Sequence, residues 1–125
     1  MHQQNYNSYS IKKLKDGMLR NKMNFIYLSW LIAILNIFDG VTTNYGLKKG
    51  AIEELNPIMD FLWLVSPLLF LTLKFSLSIL IVIISILVYK KSSKTFQRIY
   101  SFLLVGVCCV YFGIFSLHIM WLSFL

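Results

Sequence analysis

Two ionisable side chains, Asp39 and Lys74, stand inside long apolar runs of this 125-residue chain. In hydrocarbon such a charge costs about 2.5–3.5 kcal/mol at a helix centre, so each must face protein or water. Asp39 lies seven residues before Gly46, and Lys74 lies seven residues after Pro67. At about 1.5 Å of rise per residue, both then sit roughly 10 Å below the same boundary on antiparallel neighbouring helices. The chemistry this placement predicts is an ion pair, which either fixes helix register or forms the ionisable centre of a functional site.

Other polar residues recur on the same phases. Asn36, Asp39 and Thr43 follow at i, i+3 and i+7, and Ser29, Ala33 and Gly40 extend that stripe. The second run carries Lys74, Ser78 and Ser85, and the third Gly106, Cys109, Gly113 and Ser116. Small and hydroxyl-bearing faces let helices approach closely in lipid, so these stripes are expected to face one another in a compact three-helix bundle. His118 raises the option of zinc binding or proton relay with Asp39 and Glu54. Its helical phase, about 120° from Gly106 and 140° from Gly113, turns it off the small-residue face, and no metal site is expected.

Composition decides the environment of these residues. The chain is 58% apolar and 16% aromatic, with only 14% charged residues and a mean hydropathy of +0.69. That excludes both a soluble globular domain and a disordered segment. The net charge of +7 is concentrated in Lys12, Lys13, Lys15, Arg20 and Lys22 before the first apolar run, and in Lys90, Lys91, Lys94 and Arg98 between the second and third. With no folded polar face beside them, these clusters read as topology signals and not as a nucleic-acid site. Cys108 and Cys109 are adjacent within an apolar run, about 100° apart on a helix, and read as packing residues. A long polar lead with no small-residue cleavage site marks the first run as a retained anchor, not a cleaved signal peptide.

The fold class expected is an all-α membrane protein, with three transmembrane helices over about 25–47, 67–89 and 99–122 in a single bundle over 25–125. A continuous helix from Pro57 to Tyr89 would be about 50 Å long, too long to cross without extreme tilt. Ser66-Pro67 supplies a break, since Ser caps and Pro starts a helix without losing a hydrogen bond, and Asn56-Pro57 repeats the signal. Residues 57–65 therefore form a short interfacial or re-entrant helix. Residues 1–24 form a polar cytoplasmic segment, in which Ile11, Leu14 and Met18 could make a short amphipathic surface helix. Basic segments lie inside, the charge-balanced loop from Lys48 to Asn56 lies outside, and tyrosines and tryptophans mark both boundaries. This gives a multi-pass plasma-membrane protein with its N-terminus cytoplasmic and its C-terminus outside.

Asp39-Gly40 invites comparison with CDP-alcohol phosphotransferases, but the further aspartates of their motif are missing. No zinc-protease, nucleophile-elbow or nucleotide-phosphate motif occurs. A longer constellation, Asp39, Thr42-Thr43, Gly46 and then Glu54-Leu55-Asn56-Pro57, resembles a family of small polytopic bacterial and archaeal membrane proteins classed as a domain of unknown function. The resemblance covers roughly residues 25 to 122. It implies that Asp39, Thr43, Glu54, Asn56 and Pro57 matter together, and it brings no activity to transfer. On physical grounds Asn56 caps the short helix, and Glu54 can reach its amides or Lys74.

The candidate cluster is thus Asn36, Asp39, Thr42, Thr43, Glu54, Asn56 and Lys74, with no catalytic assignment and no cofactor. The function expected is that of a non-enzymatic accessory or assembly partner, working in the lipid bilayer with a membrane-protein partner or as a homo-oligomer. Three helices leave little interior for a substrate cavity of several hundred Å³. The alternatives are a small ion or proton conductor formed by oligomerisation, and an outer-leaflet enzyme acting on lipid or peptide through Asp39 or Glu54 with Lys74.

Overall fold

The computed structural model describes the backbone of residues 2–125 and the side chains of residues 7–17 and 25–125. Among the described residues four helices follow in order: α1 His2–Lys49, α2 Pro57–Val65, α3 Pro67–Lys91 and α4 Lys94–Leu122. Among the described residues there is no strand. Three stretches of the described residues, Phe25–Lys49, Pro67–Lys91 and Lys94–Leu122, are long and apolar enough to cross a membrane.

Each boundary has a local cause. Gly50 adopts φ 65°, in the left-handed region that favours glycine. Ala51 N–H then donates to Gly46 O at 2.9 Å and Gly50 N–H to Leu47 O at 3.1 Å, which closes the C-terminus of α1. The Asn56 side chain accepts from Ile58 N at 3.1 Å and Met59 N at 3.5 Å at the start of α2. Ser66 leaves the helical region and its Oγ accepts from Leu69 N, so Ser66-Pro67 ends one helix and caps the next. Between α3 and α4, Gln97 Nε2 lies within donating distance of the carbonyls of Val88, Tyr89 and Ser92 at 3.4, 3.2 and 3.1 Å and ties the start of α4 to the end of α3.

Helix α1 is the central element. Half of its apolar window is buried, against 22% and 17% for α3 and α4. Its face of Phe25, Ser29, Ile32, Ala33, Asn36, Asp39 and Thr43 is buried. Both α3 and α4 pack on it, and α2 packs on α3 without burying a residue of its own. Phe25 anchors the basic end, with ring centroids 6.0 Å from Tyr100 and 6.2 Å from Tyr89. Nearby, Ser85 Oγ and Tyr100 OH join α3 to α4 at 2.8 Å.

Two expectations are corrected. The polar segment before the first apolar run is not a separate surface helix: its backbone continues α1 without a break, and Ile11 and Leu14 are exposed. The side chain of Met18 lies outside the described residues. The small-residue stripe of α4 does not face the bundle. Gly106 and Gly113 meet nothing within 4 Å of where a Cβ would stand, and Cys109 is exposed. The buried face is instead Leu104, Cys108 and His118, with half-buried Tyr111 between them. Its spacings of four, three and seven residues form a heptad pattern, the seam of helices that pack nearly parallel. Apart from these, a half-open cavity of about 800 Å³ lies among the helix ends on the basic side, outside the packed interior.

Candidate functional site: a buried polar cluster joining three helices

The stripes of α1 and α3 do meet, at the end of the bundle opposite the basic cavity. Lys74 Nζ donates to Asp39 Oδ2 at 2.6 Å, with the two side chains only 12% and 11% exposed. A charge-assisted bond this short and this shielded offsets much of the desolvation that either group would suffer alone. Gly40 makes the approach possible. A Cβ there would stand 3.2 Å from Lys74 Cβ and 3.3 Å from its Cγ, so the lysine stem crosses α1 over a bare backbone.

The other oxygen of Asp39 reaches α4. His118 Nε2 lies 2.9 Å from Asp39 Oδ1, and Trp121 Nε1 lies 2.8 Å from His118 Nδ1. An indole nitrogen only donates, so Nδ1 must accept, and the proton of a neutral ring sits on Nε2, where it is donated to Asp39. Thr43 Oγ1 completes the carboxylate shell at 3.4 Å from Asp39 Oδ1.

One turn deeper, Asn36 links the same three helices. Its Nδ2 donates to Lys74 O at 2.9 Å and to Ser78 Oγ at 2.8 Å, while Tyr111 OH donates to its Oδ1 at 2.8 Å. Ser78 Oγ in turn donates to Lys74 O at 3.0 Å. Among the described residues no buried side-chain nitrogen or oxygen lacks a partner.

Of the candidates read from sequence, Asn36, Asp39, Thr43 and Lys74 come together. Thr42 does not join them: its hydroxyl donates back to Phe38 O at 2.8 Å within α1. Glu54 and Asn56 also stand apart, at the start of α2, where Glu54 Oε1 accepts from Asn56 N at 2.9 Å. Trp63 ties α2 to α1 by donating to Asn44 Oδ1 at 3.1 Å.

Sequence reasoning missed Tyr111, Trp121 and above all His118, which is 7% exposed and points into the cluster. The glycines of α4 misdirected the phase. Counting instead from Leu104 and Tyr111 puts His118 about 40° and 20° away, on the side of the seam. Among the described residues, no three carboxylate, imidazole or thiol groups gather to hold a metal ion. Chemically the arrangement surrounds a carboxylate with an ammonium, an imidazole nitrogen and a hydroxyl, and both ring nitrogens of His118 are engaged.

Comparison with curated proteins and with solved structures finds no match. Residues 30–124, which include the whole buried cluster, match the family described as a domain of unknown function (DUF5658), and the chain belongs to that family.

Proposed function

We propose that this is a multi-pass protein of the plasma membrane, acting without catalysis of its own as an accessory or assembly partner. The basic end faces the cytoplasm, the Trp121 end faces outward, and α2 lies along the outer interface. The observation that carries this reading is the closure of the polar cluster. Asp39, Lys74, Asn36 and both nitrogens of His118 are all occupied by one another or by neighbouring side chains and backbone. A set of groups so satisfied holds three helices in register and offers no vacant acid, base or ligand position. The lack of buried residues in α2 supports an interfacial position over a re-entrant one, since irregular backbone at membrane depth needs protein around it.

Purification of the full chain in mild detergent, followed by native mass spectrometry, tests the proposal. A defined homo-oligomer or a companion protein at fixed stoichiometry is expected, and a clean monomer without a companion overturns it. Exposed Cys109 offers a cross-linking handle on α4 if the assembly is a homo-oligomer.

One observation favours a second reading, an oligomeric ion or proton conductor: Asp39 is bonded directly to an imidazole. Trp121 opposes it by occupying the nitrogen that a relay through the ring would use. Reconstituted liposomes decide. Selective leakage that Asp39→Asn abolishes supports conduction, and conduction unchanged in that variant removes its basis. The enzymatic alternative gains little, because Glu54 is bound to the amide of Asn56 and does not join Lys74.

A further inference from the structure

The cavity at the basic end has a lining unlike the rest of the bundle. Phe25, Phe102 and Val105 provide an apolar wall, and Lys94, Arg98 and Ser101 provide a polar one. Its volume of about 800 Å³ falls in the usual range of ligand sites, roughly 300–1,000 Å³. Lys94 and Arg98 are spaced i, i+4 on α4, so their side chains emerge on one face as neighbours, an arrangement that is repulsive unless an anion answers it.

The two helices that carry these cations do not supply that anion, and the one acid of α1 on this side, Asp16, stands nine residues before Phe25 and makes no ion pair among the described residues. No aspartate or glutamate follows Asp60 in the sequence, so α3 and α4 contain none. Among the described residues the ion pair is that of Asp39 with Lys74, with His118 against the same carboxylate, both at the other end. Topology alone asks only that basic residues be present in the loop. It does not ask that two of them share a cavity with phenylalanines.

We infer that this cavity binds one anionic phospholipid, its phosphate held between Lys94 and Arg98 and its first acyl segment laid against Phe102 and Val105. The occupant must carry negative charge and hydrocarbon together, which a free phosphate lacks. Arginine and lysine suit phosphate oxygens, and Ser101 adds a hydroxyl donor. The inference rests on the reading that the apolar helices cross a membrane with this end at the cytoplasmic leaflet.

The test uses the full chain, first reconstituted into phosphatidylcholine vesicles and checked for resistance to alkaline extraction. The delipidated protein is then titrated in neutral detergent with phosphatidylglycerol or phosphatidylcholine, and bound lipid is counted by native mass spectrometry. One phosphatidylglycerol is expected to bind at least tenfold more tightly than phosphatidylcholine. The Lys94→Gln/Arg98→Gln double variant should lose that preference. The Lys90→Gln/Lys91→Gln variant, which changes exposed cations that do not line the cavity, should keep it. Equal retention of the two lipids, undiminished binding by the first variant, or displacement by millimolar inorganic phosphate overturns the inference. Failure of the wild type to resist extraction overturns the membrane reading itself, whereas firm insertion without lipid preference overturns only this proposal.

Discussion

At the Trp121 end of the bundle, Lys74 and His118 both reach the carboxylate of Asp39 and all three are largely shielded. At the opposite end, Lys90, Lys91, Lys94 and Arg98 are exposed, and neither α3 nor α4 carries an acid. The same chain thus treats charge in two ways. Where helices pack closely, each ionisable group is matched within the protein, because a lone charge there costs several kcal/mol. Where the helices end, charge is left unmatched beside a cavity, available to a partner from outside. The difference separates the groups that hold the fold from those positioned to bind.

Removing one partner from the closed end should have the largest effect. Lys74→Met leaves Asp39 buried without its cation and is expected to destabilise the protein by about 3–5 kcal/mol. Unfolding in mild detergent measures this, and adding Asp39→Asn should recover a good part of the loss. If the double variant is as unstable as the sum of the single ones, the two residues are not coupled.

Glycines sharpen the contrast between packed and open faces. Gly40→Ala forces a methyl to within 3.2 Å of Lys74 Cβ, and overpacking of this kind costs about 1–3 kcal/mol. Gly113→Ala meets nothing within 4 Å and should be neutral or gain up to about 1 kcal/mol from helix propensity. Comparable losses at both positions would show that the outward face of α4 is covered after all.

A smaller effect is expected at the edge of the cluster. Trp121→Phe keeps a ring against His118 but removes the indole donor, for a cost of about 0.5–1.5 kcal/mol. Nitrogen NMR of the imidazole is the sharper readout. The wild type should show the Nε2–H tautomer, and the variant should lose that strict preference. The smallest change in stability belongs to the basic end, where Arg98→Gln should stay within about 0.5 kcal/mol of wild type. A large loss there would mean that Arg98 serves packing and would erase the division between the two ends.

Much of the architecture was legible because it depends on local signals. Asn56-Pro57 and Ser66-Pro67 are start signals whose side chains accept the first amides of α2 and α3. The depth argument for Asp39 and Lys74 needed only residue counts and a fixed rise, and the two do pair. The stripe on α1 was readable as well, since a central helix buries one broad face whatever packs against it.

The stripe on α4 was misread for a physical reason. Small residues permit close approach but do not compel it, and Gly106, Cys109 and Gly113 are turned away from the bundle. Which face of α4 turns inward is set by a sum of contacts: Phe115 against Phe38 at 5.0 Å, Tyr111 on Asn36, and His118 on Asp39. None of these contacts is visible within α4 alone.

The sequence by itself therefore determined that the chain is helical, apolar enough for three spans, broken at Ser66, and obliged to pair Asp39 with a cation, because length, capping and charge burial act over a few residues. Only the tertiary structure decided that His118, Tyr111 and Trp121 close that pair into a three-helix cluster, that Glu54 stays outside it, and that Lys94 and Arg98 share a cavity. Those outcomes turn on the rotation of one helix against another, and a rotation of a few tens of degrees changes every partner while leaving local propensities as they were.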